Sequence, residues 1–327
     1  MVKKLFSFIA IATLVIAPIF SQAAVEEQKA FDRGESVNIN LAVMAGPTGF
    51  GAAGLIKNDG KISDLISVNT KVYSSPTEVI AQIAKGSEDI AALPSNLSSV
   101  LYNKGLKIKL AAVIGNGMLS LVSSQSDSPS ALIGEDLYIP GGPGSTPNQL
   151  TKMLISANNL TPESFNLQYG VTSSAQLSQL LIAEKVKNAI LPEPFVTMVT
   201  TKNPNVKKIY NLQEGYKDAT GIANYPMTVL VVQDKFAQEH KAALAQFLDS
   251  YKESVAFVVA SPVEAGKLIE QINIMPSSMA TPAIPFCNLT FKSAQDAKSE
   301  VNEYFKMLFE FSSDSIGGKL PLDDFYL

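Results

Sequence analysis

Two sequence patterns occur twice in this chain, in the same order and about one hundred residues apart. The first is an apolar run that ends in glycine, over 39–49 and again over 137–145. The second is an amphipathic stretch, a polar loop and a short apolar run that ends in proline, over 83–94 and 182–192. Apolar runs that alternate with helical patterns predict βαβ units and parallel strands. A chain that builds such a unit twice is expected to form two α/β lobes.

The doubled unit also predicts where a ligand binds. In α/β sheets, ligands gather outside the carboxyl ends of the strands, where helix N-termini present free N–H groups. Two lobes with facing strand ends therefore enclose a cleft for one small molecule. The length of 327 residues agrees with two domains, because a single domain commonly has about 100–200 residues.

The first two dozen residues carry the three parts of a secretory signal. A pair of lysines precedes the apolar run 5–20, and the small residues Ala23 and Ala24 follow it. The alternative is a single membrane anchor, but Pro18 and the shortness of the apolar run disfavour it. We therefore expect a signal peptide over 1–24, cleavage near Ala23 or Ala24, and a soluble periplasmic protein.

Composition excludes several other classes. Hydrophobic residues make up 46% of the chain and charged residues 17%, which is typical of a globular protein with a sizeable core and disfavours disorder. The net charge of −4 leaves no basic footprint for nucleic acid. We therefore expect no nucleic-acid partner.

Catalysis through histidine or cysteine has little support in the sequence. The single histidine, His240, lies in a charged segment typical of a surface helix start, and the single cysteine, Cys287, lies in an apolar segment typical of a buried side chain. Zinc sites and Ser-His-Asp or Cys-His machinery need more of these residues. Paired carboxylates stay open as an alternative because 30 acidic residues are present. We expect no enzymatic activity, no cofactor and no metal.

Two glycine-rich segments fall short of nucleotide-binding motifs. Segment 54–62 has one residue too many for a P-loop and ends in isoleucine. Segment 142–147 has a proline where a dinucleotide fingerprint needs its third glycine. Such turns instead predict the starts of helices. The candidate N-cap residues are Thr48, Ser145 and Thr146.

Hydrophobic periodicity predicts alternating strands and helices in two lobes. The predicted strands are 39–44, 68–73, 89–93, 108–115, 119–123, 136–139, 165–170, 187–191, 206–210 and 225–232. The predicted helices are 50–57, 78–85, 95–103, 147–158, 173–184, 194–202, 239–261, 262–272 and 292–311. The strand 225–232 is interpreted as the return crossing into the first lobe. The first lobe is then 25–122 with 224–327, and the second is 123–223.

Five short segments carry a resemblance to a known family. They are Gly-Pro-Thr-Gly at 46–49, Asp-Ile-Ala-Ala-Leu-Pro-Ser-Asn at 89–96, Asn-Lys-Gly at 103–105, Gly-Ser-Thr-Pro at 144–147 and Ile-Leu-Pro-Glu-Pro-Phe at 190–195. The chain resembles, from Val37 to about Tyr326, the type II periplasmic substrate-binding proteins of ABC importers. The most similar branch binds nitrate, alkylsulfonates, taurine or thiamine-pyrimidine precursors.

The resemblance implies a clamp of two mainly parallel sheets flanked by helices and joined by two hinge strands. It implies a monomer that captures a small organic ligand and delivers it to a membrane permease with its ATPase. The family's cleft residues lie at strand ends and helix starts, and each has a second interpretation as a cap or turn residue. The positions that correspond here are Thr48, Gly49, Ser74, Ser75, Ser95, Asn96, Asn116, Gly117, Ser145, Thr146 and Glu193.

The ligand itself stays open between a small nitrogen heterocycle and an organic anion. The single arginine, Arg33, lies just after the signal, so no arginine fork can clamp an anion in the cleft. Glu193 favours an amino-heterocycle, but a first-turn glutamate also stabilises a helix. Tryptophan is absent, which leaves tyrosine and phenylalanine for stacking. The best-placed aromatic candidates are Tyr225, Phe195 and Phe286.

Two other functions stay open as alternatives. One is a pyrimidine-precursor biosynthetic enzyme on the same scaffold, although such chemistry calls for histidine and metal ligands that this sequence lacks. The other is a stand-alone sensory binder without a transporter. Neighbouring genes for a permease and an ATPase would separate these alternatives from an importer component.

Overall fold

The computed structural model describes residues 36–327. The predicted signal peptide and Arg33 lie outside the described residues. No helix within 36–327 is both long enough and apolar enough to cross a bilayer.

Strands and helices alternate through most of the described chain. The strands are β1 (Val37–Met44), β2 (Ile66–Tyr73), β3 (Ile90–Pro94), β4 (Ile108–Asn116), β5 (Leu119–Ser123), β6 (Asp136–Tyr138), β7 (Asn166–Gln168), β8 (Asn188–Pro192), β9 (Lys207–Asn211), β10 (Pro226–Gln233) and β11 (Leu289–Ser293). The α-helices are α1 (Pro47–Ala52), α2 (Pro76–Lys85), α3 (Ser95–Asn103), α4 (Thr146–Ala157), α5 (Ser174–Ile182), α6 (Phe195–Lys202), α7 (Leu212–Thr220), α8 (Asp234–Glu239), α9 (Lys241–Ala260), α10 (Pro262–Gln271), α11 (Ser277–Ala283) and α12 (Ala294–Phe311).

The strands form two sheets, which confirms the two-lobed α/β prediction. The first sheet has the order β11-β4-β10-β3-β1-β2, and the second has the order β7-β6-β8-β5-β9. Both sheets are mixed rather than mainly parallel. β1 pairs in parallel with β2 and β3, and β6 pairs in parallel with β7 and β8. β10 is antiparallel to β3 and β4, and β5 is antiparallel to β8 and β9.

The mixed pairing follows from how the chain crosses between the sheets. The parallel strands end at the junction of the two sheets, whereas β5 and β10 begin there, because each has just crossed from the other sheet. Strands that begin where their neighbours end must run antiparallel to them. The pairing of β5 with β8 and β9 puts all of Leu119–Ser123 in the second sheet. The chain changes sheets between Asn116 and Leu119, a few residues before the predicted boundary at residues 122 and 123.

One buried apolar cluster extends from the first sheet into the second. It contains Val229 of β10, Leu121 of β5 and Leu137 of β6, with Tyr225 and Tyr304 between them. The other face of the first sheet packs under α9, and the other face of the second sheet packs under α5 and α6. Burying large apolar side chains gives roughly 1.5–3 kcal/mol each, so the shared cluster is a major part of what holds the two sheets together.

The sequence-based prediction missed four elements. It missed the helices α7, α8 and α11. It also missed the strand β11, and it extended the last helix back over Lys292, which belongs to that strand. Helix α11 contains Pro282 and follows Pro276, two signals that normally argue against a helix. Strand β11 is only five residues long and lies at the edge of its sheet, where its pairing with β4 is irregular.

Candidate functional site

The candidate site is the junction where the strand ends of the two sheets meet. In the first sheet, Thr228 of β10 lies opposite Pro94 of β3, so the start of β10 adjoins the end of β3. In the second sheet, Leu119 of β5 lies opposite Pro192 of β8. The ends of the parallel strands and the starts of the crossing strands therefore share one rim in each sheet. This is the position at which α/β sheets bind ligands.

Asn96 connects the two rims. It lies in the first turn of α3 and is 1% exposed. Its side-chain amide donates to the Gly144 carbonyl at 3.3 Å and to the Ser315 carbonyl at 3.2 Å. Its side-chain oxygen accepts from the Thr146 hydroxyl at 3.1 Å. The structure thus brings two of the sequence-predicted site residues, Asn96 and Thr146, into direct contact across the cleft.

Ser95 and Ser145 stabilise the loops on either side of this contact. The buried Ser95 hydroxyl donates to the Pro226 carbonyl at 2.6 Å and so ties the end of β3 to the start of β10. The Ser145 hydroxyl donates to the carbonyls of Pro140 and Gly142 at 2.9 and 2.8 Å and caps α4 by accepting from the N–H of Asn148. Both predicted residues lie at the rim, and both hydroxyls already have protein partners.

Thr48 and Gly49 lie at the end of β1. The Thr48 hydroxyl accepts from the N–H of Met44 at 3.0 Å and is 3.2 Å from the Met44 carbonyl, so it holds the turn that leads into α1. Gly49 faces Ile274, whose side chain would overlap a Cβ at this position. A Cβ would also lie 2.8 Å from the Met44 carbonyl oxygen, and because this backbone atom cannot turn aside as the end of the Ile274 side chain can, the turn after β1 requires glycine here.

Ser74 and Ser75 form the start of α2. The Ser75 hydroxyl accepts from the N–H of Glu78 at 3.3 Å, and Glu78 in turn accepts from the N–H and hydroxyl of Ser74 at 3.1 Å. This reciprocal arrangement satisfies helix N-terminal donors in the manner of a capping box. Ser74 is exposed, at the end of β2.

Asn116 and Gly117 lie where the chain leaves the first sheet. The N–H of Asn116 donates to the Asn288 carbonyl at 3.0 Å, and the Asn288 side chain donates to the Gly117 carbonyl at 2.9 Å. A Cβ at Gly117 would overlap the side chains of Gln213 and Tyr225. The first crossing therefore passes directly beside the second, which carries Tyr225.

Tyr225 belongs to a buried group of three tyrosines that sequence reasoning identified only in part. The ring of Tyr225 stacks on Tyr304 with centroids 5.7 Å apart, and Tyr216 meets it edge-on at 5.1 Å. Each of the three rings is at most 1% exposed. Burial raises the pKa of Tyr225 well above its usual value. The three rings fill the space beside the two crossings, so none of them presents a free face on which a ligand could stack.

Glu193 lies at the end of β8 and is 5% exposed. Its N–H donates to the Met118 carbonyl in the crossing segment at 3.0 Å. One carboxylate oxygen accepts from the N–H of Thr197 at 3.0 Å, so Glu193 serves the start of α6. Burial raises the pKa of Glu193 above its usual value of 4.5, while the bonds from Thr197 and the charge of Lys208 act in the opposite direction.

The two lobes also meet on the other side of Glu193, where α11 of the first packs against α6 of the second. The other two predicted stacking residues, Phe195 and Phe286, lie in this region. Phe195 opens α6 and packs partly buried in the second lobe, whereas Phe286 is 59% exposed. Cys287 is fully buried, as expected from its apolar segment, and its thiol lies 3.3 Å from the Ala283 carbonyl.

His240 lies far from the rim. It follows β10 and α8, and β10 runs from the cleft toward the far ends of the strands of the first sheet. The imidazole packs against the ring of Phe236 at 4.9 Å. Within residues 36–327, no group of three or more histidine, cysteine, aspartate or glutamate side chains is arranged to hold a metal ion.

Comparison with protein families identifies the chain. The model of the NMT1/THI5-like family matches residues 65–265, which is more than half of the sequence. The chain belongs to the NMT1/THI5-like family. A comparison with curated proteins finds no match.

Solved structures show the same fold. An ABC transporter protein from Parabacteroides distasonis is 28% identical with a TM-score of 0.77, and the match covers 88% of this chain and 98% of that one. The aliphatic sulphonate binding protein SsuA from Escherichia coli is 11% identical with a TM-score of 0.69, over 86% and 94% of the two chains. The nitrate-binding protein NrtA from Synechocystis is 14% identical with a TM-score of 0.62, over 88% and 83%. The resemblance to periplasmic binding proteins of ABC importers is thereby confirmed.

Proposed function

We propose that this NMT1/THI5-like protein is an exported solute-binding protein that captures a small organic molecule between its lobes for an ABC importer. The observation that carries the proposal is the bond between Asn96 and Thr146, which joins the strand-end rims of the two sheets. The likeness to binding components of ABC importers supports the same role. Release and capture then require the lobes to separate about the two crossings at 116–119 and 221–226.

The charges around the rim favour a ligand that donates hydrogen bonds. The carboxyl ends of β1, β2, β3, β6 and β8 carry glycine, serine, threonine, asparagine and Glu193, and within residues 36–327 no lysine or arginine stands at these ends. An anion would therefore find hydroxyl and N–H donors but no lysine or arginine on these strand ends, and the charge of Lys208 in β9 that reaches Glu193 is already opposed by that carboxylate. We propose a neutral or cationic molecule with N–H donors, such as a small nitrogen heterocycle.

Native mass spectrometry of protein purified without refolding tests ligand capture, because a tight binder retains its ligand. Adding that ligand should raise the melting temperature and reduce the radius of gyration, since it stabilises the closed state and not the unfolded chain. A hundredfold excess over Kd corresponds to about 2.7 kcal/mol of stabilisation. Unchanged small-angle scattering with saturating ligand would exclude hinge closure, and turnover of the ligand would favour an enzyme instead.

Export is tested separately from ligand binding. Mass spectrometry of the mature protein should give an N-terminus at Ala24 or Val25, in the periplasmic fraction. Recovery of the segment 5–20 with the protein in the membrane fraction would contradict export with cleavage. Genes for a permease and an ATPase beside this one would distinguish an importer component from a stand-alone sensory binder.

A further inference from the structure

The second lobe contains an apolar cavity of about 290 Å³ that is separate from the cleft. Its floor is a row of side chains across three neighbouring strands. Leu121 of β5 lies opposite Ile190 of β8 on one side and opposite Tyr210 of β9 on the other. The next residues along these strands, Val122 and Ala189, point to the other face of the sheet and pack under α5 and α6.

Helix α4 forms one wall, through Leu154 and Ile155, and Phe165 closes the end. These three side chains are 5%, 7% and 9% exposed, so they are buried except where they face the cavity. Helices α4 and α7 cover the sheet and contact each other. They leave the end of the floor uncovered, where the short 3-10 turn Pro129–Leu132 takes the place of a helix.

The mouth of the cavity lies at the end of α4 that is remote from the cleft. Asn158, directly after α4, lines the mouth together with Ser128 and Ser130. Helix α4 begins with Thr146 at the cleft and has 12 residues. At 1.5 Å of rise per residue, its two ends are about 18 Å apart. A molecule in this cavity therefore enters by a different route from a molecule in the cleft.

The lining selects a neutral and mainly hydrocarbon ligand. Within the described chain, no charged side chain lines the cavity. The polar groups at its mouth already have partners, because the amide of Asn158 donates to the Leu154 carbonyl at 2.8 Å and the hydroxyls of Ser128 and Ser130 pair at 2.7 Å. The serine pair at the mouth retains one free O–H donor and free acceptor lone pairs for a polar group of a ligand.

The cavity is large enough to hold a small molecule. Protein interiors contain few voids larger than a water molecule. An engineered apolar cavity of about 150 Å³ stays dry and binds benzene. The present cavity is about twice that volume and open to solvent at one end, which resembles the smaller of the known ligand pockets.

We propose that the second lobe has its own binding site for a neutral, mainly hydrocarbon molecule with one uncharged polar end at the Ser128 and Ser130 mouth. This site does not depend on what the cleft binds. Leu212 lines the cavity at the start of α7, and one turn later Tyr216 meets Tyr225 at the hinge. A molecule bound in the cavity would therefore contact α7, the helix that packs on the second crossing at 221–226.

Titration with N-phenyl-1-naphthylamine, a neutral apolar fluorophore, tests the site. We expect saturable binding of one equivalent to the full mature protein. Leu154→Phe fills the cavity from its wall and should weaken binding by about tenfold or more. Leu180→Phe makes the same substitution on α5, on the opposite face of the sheet, and should leave binding unchanged.

Ser130→Phe is a second test of binding in the cavity. Ser130 is exposed at the mouth, where a larger side chain obstructs entry without repacking the core. It should also weaken binding by about tenfold, and it decides the outcome if Leu154→Phe does not fold. Absence of saturable binding would overturn the proposal. Equal affinity in the wild type and in every folded cavity variant would also overturn it, because the probe would then be bound elsewhere.

Discussion

The Thr146 hydroxyl donates to the side-chain oxygen of Asn96 at 3.1 Å, and this single bond joins the first turn of α4 in one lobe to the first turn of α3 in the other. Asn96 also donates to carbonyls from both lobes, at Gly144 and Ser315. A buried asparagine with three protein partners is costly to remove, because each partner that loses its bond must be desolvated without compensation. The bonds to Thr146 and Gly144 cross between the lobes and would be lost when the lobes separate, whereas the bond to Ser315 lies within the first lobe.

Asn96→Ala is expected to lower the free energy of unfolding by about 1–3 kcal/mol and to shift the lobes toward the open form. Asn103→Ala is the matched control, because Asn103 lies on the same helix but bonds only within the first lobe, to the carbonyls of Ile316 and Lys319. Urea denaturation should show a loss for both variants. Small-angle scattering without ligand should show expansion for Asn96→Ala alone, and equal scattering of the two would contradict the interlobe role.

Gly117→Ala is expected to destabilise the protein at the crossing between the sheets. A methyl group at Gly117 would overlap the side chains of Gln213 and Tyr225, and such overpacking typically costs about 1–3 kcal/mol. Gly144→Ala is the control, because a Cβ at Gly144 has no atom within 4 Å. Chemical denaturation should separate the two variants by at least about 1 kcal/mol. Equal stability would mean that the second crossing moves aside without cost.

The alternation of strands and helices was predictable because each strand carries an apolar run that a turn residue ends. Helix α7 was missed although Asn211 caps it and Gly221 ends it at φ 75°. Its apolar positions, Leu212 and Tyr216, are only one turn apart, so the amphipathic pattern covers too few residues to be recognised as a helix. The mixed pairing could not be read from the sequence, because strand direction depends on where the chain crosses between the sheets.

Asn96 and Thr146 were predicted as site residues from their places after a strand and a glycine turn, and the structure brings them together. The same positional rule also selected Thr48 and Ser75, whose hydroxyls cap or hold their own helix starts. A hydroxyl at a helix start serves either purpose, so the sequence alone does not distinguish them. Tyr304 was missed because it comes from a helix about 80 residues beyond the hinge, with no local signal.

Cys287 is expected to be unreactive in the native protein. The thiol is fully buried, and burial raises its pKa well above the usual value, so the thiolate that reacts with Ellman's reagent is scarce. Labelling should be slow in native buffer and complete in concentrated urea. Fast labelling without denaturant would show that the region between α11 and β11 opens readily.

The stability of the protein should depend on pH through Glu193. Its native pKa is raised by burial above the usual 4.5, so the folded state binds more protons than the unfolded state between these two values. The free energy of unfolding contributed by Glu193 therefore falls as the pH rises through this window. Relative to Glu193→Gln, the wild type should gain stability as the pH is lowered from neutral toward 4.5. Parallel urea curves at all pH values would contradict the raised pKa.

Glu193 should also report the charge class of the ligand. If the ligand presents N–H donors to this carboxylate, Glu193→Gln replaces a charge-assisted bond with a neutral one, at a cost of about 1.5–3 kcal/mol. Affinity for the ligand identified by mass spectrometry should then fall by roughly tenfold to a hundredfold in isothermal titration.

Glu184→Gln makes the same charge change before the opposite end of β8, at an exposed position, and should leave the affinity unchanged. An anionic ligand predicts the opposite sign for Glu193→Gln, because removing a nearby negative charge strengthens binding, most of all at low salt. Titrations at two salt concentrations therefore distinguish the two classes of ligand. Equal affinities of the wild type and Glu193→Gln at both concentrations would leave Glu193 with the role its bond to Thr197 already gives it, as the acceptor at the start of α6.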